Sequence, residues 1–164
     1  MPSSWWWIPL ALAVLAALAV WLRRPLRSAA REARLSQARK WFHQQRERLE
    51  AKFLRLATAQ PGPDKLRWTD CDFDDGVAYV RNRRTGELSA LVGVTMILEG
   101  GGQPPASAGD LMRNLRAGTA VFRLDRDRWE TEGRVILNLS PSEAIRAYQH
   151  DLEVVGREAA ERPV

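Results

Sequence analysis

The pattern of hydrophobic and polar positions divides the chain into an uncharged apolar run, a helical stretch and a region of alternating strands. The apolar run, Trp5–Leu22, holds eighteen residues without a charged side chain. At ~1.5 Å per residue a helix of this length extends roughly 27 Å, close to the ~30 Å hydrocarbon core of a bilayer. The run therefore predicts a membrane anchor.

Tryptophans flank this run at both ends, where the anchor would meet the headgroups. Indole rings prefer that level of the bilayer, and they are supplied by Trp5, Trp6 and Trp7 at one end and Trp21 at the other. A buried core helix fits these clusters poorly. A cleaved signal peptide is the stronger alternative, with a small-residue site at Ser28-Ala29-Ala30. It should carry its positive charge before the apolar run, whereas here the charge follows, so an uncleaved anchor is predicted.

The charge that follows the anchor predicts its orientation. Residues 23–55 contain eleven Lys or Arg and three Glu, a net charge of +8, and Arg23, Arg24 and Arg27 lie nearest the membrane. The positive-inside rule then predicts a single-pass protein with its N-terminus outside and its soluble part in the cytoplasm; the opposite orientation stays open. Since the whole chain carries +5, the part from Leu56 onward carries −3, and nucleic acid is not expected as its partner.

Residues 28–60 predict an amphipathic helix, because they contain no Gly or Pro and their apolar positions share one face. Two interpretations are open: the distal half packs on its own domain, or residues 35–56 form a homo-oligomeric coiled coil. Every second core position of the coiled coil would hold Ala38, Gln45 or Lys52, which pack poorly there, so packing on the chain's own domain is favoured. Pro61-Gly62-Pro63-Asp64 should end the helix. The apolar face consists of Leu35, Ala38, Phe42, Leu49, Phe53 and Leu56.

Strands should follow. Leu66–Phe73 and Val77–Arg83 are candidates, and Arg84-Thr85-Gly86-Glu87 is a turn in which Gly86 adopts a positive φ. Residues 88–99 give the clearest pattern, because apolar residues alternate with Ser89, Gly93, Thr95 and Glu99. Their apolar face needs a cover, which the preceding helix should supply.

After the Gly/Pro-rich loop of residues 100–109 and an ambiguous piece at 110–116, residues 119–125 and 128–139 predict a hairpin. Its register should oppose Leu124 with Trp129, and it should continue to the pair Ala120 and Gly133.

Ser140, Pro141 and Glu143 form a helix start with a capping box. The final helix is expected to continue to Gly156, because apolar residues recur at helical spacing up to Val155.

These elements predict an α+β fold: an N-terminal transmembrane helix, a long amphipathic helix, an antiparallel sheet of about five strands with helices on one face, and a C-terminal helix. In element order the fold resembles cystatin-like and NTF2-like layouts, although no sequence motif of either family is present. The resemblance implies nothing about function. The expected organisation is an anchor with basic flank (1–27), a helix (28–60), a cytoplasmic domain (61–156) and a polar tail (157–164).

The most tempting chemical motif is Asp70-Cys71-Asp72-Phe73-Asp74-Asp75-Gly76, which resembles the start of a calcium loop. The motif fails because Asp75 stands where the turn glycine belongs and Arg81 stands where a bidentate Glu is needed. The segment is better interpreted as a solvated strand end, and a weak divalent-cation site or an acidic contact surface stays open as the alternative. No metal site is predicted.

The other reactive residues do not form a recognisable constellation. His43 and His150 lack a spaced carboxylate or cysteine, and Cys71 is flanked by acids that raise a thiol pKa. Gly100-Gly101-Gly102 lacks the lysine of a phosphate loop. Trp68 and Trp129 are expected in the core. Neither a cofactor nor a catalytic site is predicted, and the sequence leans against an enzyme.

The function expected from the sequence is protein interaction or complex assembly by a membrane-anchored module. Two alternatives stay open. The first is a small ligand-binding or enzymatic domain that uses a cavity between the sheet and the helix. The second is binding of anionic lipid or nucleic acid by the basic stretch 23–55.

Overall fold

The computed structural model describes residues 7–59, 67–99 and 115–159, with side chains for 10–15, 29–59, 70–97 and 115–159. It divides into two compact units, Met1–Trp41 and Phe42–Val164. The elements are α1 (Trp7–Ala59), β1 (Arg67–Asn82), β2 (Leu88–Glu99), β3 (Leu115–Asp125), β4 (Arg128–Glu130), β5 (Val135–Leu137), α2 (Pro141–Ala147) and β6 (Leu152–Glu158).

The described part of the first unit belongs to α1 alone, which begins at Trp7. Among the described residues, no helix combines the length and the apolarity needed to span a bilayer. Part of the expected anchor lies outside them: Trp5 and Trp6 entirely, and the side chains of residues 7–9 and 16–22.

The described residues of the second unit form an antiparallel sheet of six strands, which confirms the α+β class. The strand order is β4-β3-β2-β1-β6, and β5 also pairs with β3. Neighbouring strands β1 to β4 follow one another in sequence, as consecutive elements commonly do. Strand β6 instead returns from the end of the fold to pair with β1.

One face of the sheet, called the helix face here, packs against the part of α1 that belongs to the second unit, from Phe42 onward. Phe42 and Phe53 are buried, and both rings contact Phe122 of β3, at centroid distances of 5.5 and 5.9 Å. Phe42 also stacks edge-on with Trp129 at 5.1 Å. The predicted packing of this helix on its own domain and the core position of Trp129 are therefore confirmed. The side chain of Trp68 lies outside the described residues.

The opposite face, called the second face, carries α2. Ala78, Val80, Leu91 and Ile145 form a separate buried cluster there. The expectation that the helices share one face is wrong. Strands β1 and β2 are apolar on both sides over these residues, so each face needs its own cover.

Two local predictions are confirmed. Gly86 has a φ of +75° in the turn after β1, and the Asn82 side chain accepts hydrogen bonds from the N–H groups of Arg84 and Thr85. At the start of α2, Ser140 and Glu143 form the complete capping box.

The prediction of a long C-terminal helix that continues to Gly156 is wrong. Helix α2 has seven residues, and after a turn the chain enters β6 instead. The side chains from Leu152 to Val155 suit either structure, and the β-branched pair Val154-Val155 favours a strand. Pairing with β1 satisfies backbone groups that a longer helix would leave open on that edge.

The predicted register of the hairpin that begins with β3 and β4 is correct next to the turn and wrong beyond β4. Leu124 pairs with Trp129 as predicted, but Ala120 pairs with Val135 rather than with Gly133. The chain between β4 and β5 bends toward the end of α1. Gly133, with φ +71°, lies so close that a Cβ there would be 2.9 Å from the Ala57 nitrogen.

Candidate functional site

The predicted membrane-interface residues lie outside the side chains that the structure describes: Trp5, Trp6, Trp7, Trp21, Arg23, Arg24 and Arg27. The neighbouring residues 10–15, Leu-Ala-Leu-Ala-Val-Leu, are described, and all six are exposed. Leu10, Leu12, Val14 and Leu15 are 59–63% exposed. At ~100° per residue these six positions cover every side of the helix, so this segment has no polar face.

The acidic segment 70–76 lies within a strand, contrary to the predicted strand end. Phe73 pairs with Val94 and Val77 pairs with Val92. Asp74, Asp75 and Gly76 therefore bulge out opposite Gly93 alone. A bulge of this kind bends the strand and redirects its side chains.

Contacts on both faces of the sheet hold the bulge in place. On the helix face Arg46 donates to the carbonyl oxygens of Asp74 and Asp75, at 2.5 and 3.0 Å, while its Nε donates to Glu50 at 2.7 Å. On the second face the Asp74 carboxylate lies over Gly93, in the space that a Cβ would take. Because Gly93 has no side chain, it leaves the space that the Asp74 carboxylate occupies.

The edge of β1 next to this bulge is open in the described part of the chain. Strand β2 pairs with β1 from Arg67 to Arg81. Strand β6 pairs with β1 only from Val77 to Asn82. Residues Arg67–Phe73 therefore have a strand neighbour on one side only among the described residues. We call this segment the open edge.

A shallow depression of about 710 Å³ lies beside the bulge, where β6 ends. Asp72, Asp74 and Asp75 give its wall a negative charge, and Ile145 contributes an apolar surface. Arg157 is the basic side chain of this wall. We call this surface the acidic depression. It combines negative charge with apolar contact area.

Cys71 is a poor candidate for a reactive nucleophile. Burial, and secondly the nearby Asp70 carboxylate, raise the pKa of the thiol from 9.0 to about 11. The thiolate is the nucleophilic form, so this thiol is scarcely activated near neutral pH. The Asp70 carboxylate also accepts a hydrogen bond from the Cys71 backbone N–H at 2.8 Å.

The structure joins His43 to a carboxylate that sequence reasoning missed. His43 Nε2 lies 2.6 Å from Glu158 Oε2, and the buried Tyr79 donates its hydroxyl to the same oxygen at 3.2 Å. Sequence spacing gave no signal of this group, because His43 and Glu158 are on α1 and β6. His150 is exposed on the turn after α2. The three joined side chains link the helix to the edge strand.

A second depression, of about 680 Å³, lies on the second face between β5 and the turn that follows α2. The exposed side chains of Tyr148 and Leu137 give it an apolar border, and Arg84 and Arg134 also line it. The charged residues of this wall sum to +1, because Asp151 offsets one of the two arginines.

The described residues contain no group of three or more His, Cys, Asp and Glu side chains that could hold a metal ion. Comparisons of the chain with protein-family models, with curated proteins and with solved structures find no match. Function must therefore be inferred from the surfaces described above.

Proposed function

We propose that this chain is a single-pass membrane protein whose α+β module binds another protein on the cytoplasmic side. The observation that carries the anchor is the segment 10–15, whose apolar side chains are exposed around the whole helix. A helix that is hydrophobic all round belongs in a core or a bilayer. The tryptophans at both ends of the sequence run and the basic residues after it favour the bilayer.

The packing of the second unit supports protein binding over a ligand cavity between α1 and the sheet. Phe42, Phe53, Phe122 and Trp129 are buried there, and their rings touch one another. This space is filled by apolar rings in the described residues, whereas the open edge and the two depressions lie at the surface. Protein partners use such surfaces.

The basic stretch 23–55 supports a weak additional contact with anionic lipid. Arg31 and Arg34 are exposed on α1, and each well-placed basic residue near an anionic surface contributes ~1 kcal/mol. This contact would assist the anchor rather than replace it.

The anchor is tested by flotation of membranes after an alkaline wash. The Leu12→Arg/Leu15→Arg variant should leave the membrane fraction, because an arginine at the centre of a membrane helix costs roughly 2.5–3.5 kcal/mol. Gln44→Arg/Glu47→Arg places two arginines on exposed positions of the same helix beyond the anchor and should stay with the membrane. Equal retention of both variants would exclude the anchor.

Orientation is tested by labelling a single cysteine. In a Cys71→Ser background, the exposed Gln149 is changed to Cys. A membrane-impermeant maleimide should label it only after the cells are permeabilised. Labelling in intact cells would place the module outside.

Protein binding is tested by cross-linking the full chain in native membranes, followed by isolation in mild detergent. We expect a discrete cross-linked species that contains this chain and a second protein. A chain recovered only as monomer would contradict the proposal.

A further inference from the structure

We propose that the open edge, Arg67–Phe73, takes an extended basic segment of the partner protein as an additional strand, with the acidic depression receiving its side chains. This inference rests on the proposed protein-binding function and assigns it a surface and a class of partner. It joins two observations that do not depend on each other: the strand pairing of β1 and the charge of the residues beside it.

The backbone of the open edge provides the binding contacts. At ~3.3 Å per residue the seven residues extend roughly 23 Å, enough for a partner segment of similar length. Alternate residues of an edge strand direct their N–H and C=O groups away from the sheet. A partner strand that pairs with them forms backbone hydrogen bonds, which is the mode called β-augmentation.

Charge selects the partner. Asp70 pairs with Ile97 and Asp72 with Thr95 in the sheet, so both acids lie on the second face, where Thr95 is exposed. Side chains of an added strand would lie ~5 Å from those directly opposite. Lys or Arg at alternate positions of the partner would therefore meet these carboxylates.

The same charges disfavour a second copy of this chain as occupant. An antiparallel pair of two open edges would bring Asp70 and Asp72 close to the same residues of the other copy. Like charges directly opposite each other destabilise a strand pair. A register that opposes these acids is therefore repulsive, whereas the net charge of −1 from Arg67, Asp70 and Asp72 favours a basic segment.

The acidic depression extends the site beyond the backbone. It begins at Asp72 and continues over the bulge to Ile145 and Pro141 of α2. A volume of about 710 Å³ accommodates more than one side chain. Basic side chains of the partner would lie on the face of the depression, with their charged ends at its carboxylates and their aliphatic stems against its apolar wall.

The bulge fixes where the added strand must stop. Strand β6 ends its pairing at Val77, and Arg46 already occupies the carbonyl oxygens of Asp74 and Asp75. Only the stretch up to Phe73 is left for the partner. The Asp70 carboxylate holds the Cys71 N–H at 2.8 Å, so a strand that needs this donor must displace it.

The test measures binding of fluorescent peptides to the full chain in detergent, by anisotropy. The peptide Lys-Val-Lys-Val-Lys-Val-Lys should bind, and the version with Glu for Lys should not. A version with proline at the central position has the same charge but lacks one backbone donor, and we expect it to bind at least tenfold more weakly.

Matched variants of the chain separate this edge from general charge attraction. Asp70→Asn/Asp72→Asn should weaken binding of the basic peptide at least fivefold. Asp125→Asn/Asp127→Asn removes the same charge from exposed positions at the β3–β4 turn and should leave binding unchanged. Hydrogen exchange should slow in residues 67–73 when the peptide is bound.

Three results would overturn the inference. One is equal loss of binding in the two variant pairs, and another is indifference to the central proline. The third is protection that appears at the second depression instead of at the open edge.

Cross-linking in native membranes distinguishes this inference from the proposed function. If the Asp70→Asn/Asp72→Asn variant still forms the cross-linked complex at the full level, protein binding stands and the open edge is the wrong surface. If the unaltered chain forms no complex and binds no peptide, both proposals fail.

Discussion

Gly86 and Gly133 have nearly the same backbone conformation and different surroundings, so they provide a matched pair of substitutions. Their φ angles are +75° and +71°. A Cβ on Gly86 would meet nothing within 4 Å, whereas on Gly133 it would lie 2.9 Å from the Ala57 nitrogen and the Leu56 Cβ. Alanine at Gly86 therefore tests the backbone conformation alone. Alanine at Gly133 tests conformation and overlap together.

The expected magnitudes differ accordingly. A left-handed conformation costs an alanine ~1–2 kcal/mol, and the stiffer unfolded chain returns ~0.4–1 kcal/mol. Gly86→Ala should therefore destabilise the module by ~0–1.6 kcal/mol. At Gly133 the overlap is with helix backbone, which cannot rotate away, and such overpacking adds ~1–3 kcal/mol. Gly133→Ala should therefore destabilise the module by roughly 2–4 kcal/mol.

The assay is thermal unfolding of the full chain in detergent, followed by circular dichroism in the strand region. For a module of about a hundred residues, ~1 kcal/mol corresponds to a Tm change of ~4–8 °C. The Tm of Gly133→Ala should be lower than that of Gly86→Ala by at least ~4 °C. Equal Tm values for the two variants would refute the close approach of residue 133 to α1.

Three further predictions concern the core, the thiol and the helix cap. Phe42→Ala should lower the free energy of unfolding by ~3–5 kcal/mol, because its buried ring contacts three other aromatic rings in the sheet; a loss below ~1 kcal/mol in denaturant unfolding would contradict this packing. Iodoacetamide should alkylate Cys71 much more slowly at pH 8 in the folded chain than in urea, since burial and then Asp70 raise its pKa to about 11, and equally fast reaction would show an accessible thiolate. Hydrogen bonds from Ser140 lower the pKa of Glu143 from 4.5. The stability that this carboxylate contributes is therefore present above pH ~4.5 and is lost as the pH falls through the lowered pKa. When Tm is measured against pH, Glu143→Gln should show a smaller fall in Tm on the acid side than the unaltered chain.

Local signals in the sequence were sufficient for several elements. The capping box of Ser140 and Glu143 uses residues three apart, and the turn at Gly86 depends on one residue's freedom at positive φ. The pairing of Leu124 with Trp129 follows from the two-residue turn between their strands. In each case the interacting groups are close in sequence. Their physics could be evaluated without knowing the rest of the fold.

Long-range pairing determines the features that were missed. Residues from Leu152 onward have apolar positions that suit a helix or a strand, and the open groups of β1 decide between them. The path of the chain between β4 and β5 depends on where α1 ends, because Gly133 packs against that end of the helix. The bond between His43 and Glu158 joins residues on elements that only the sheet brings together.

The candidate site was only half visible in the sequence. The acids of residues 70–75 were evident, and their failure to fit a calcium loop was clear. The place of Asp70 and Asp72 on an edge with one strand neighbour among the described residues was not evident, because it depends on where β6 stops.

The late return of β6 has a consequence for the order of folding. Strands β1 to β4 pair with their neighbours in sequence. The pairing of β1 with β6, in contrast, joins residues as distant in sequence as Val77 and Glu158. Local pairings form quickly, and pairings across a long loop form slowly because loop closure costs entropy. We expect β6 to join last and to open first, so transient openings of the native module should lengthen the free edge of β1 from Phe73 to Asn82. The edge of β1 that is proposed to bind the partner protein would then also be the edge at which the module most readily pairs with strands of other chains and aggregates.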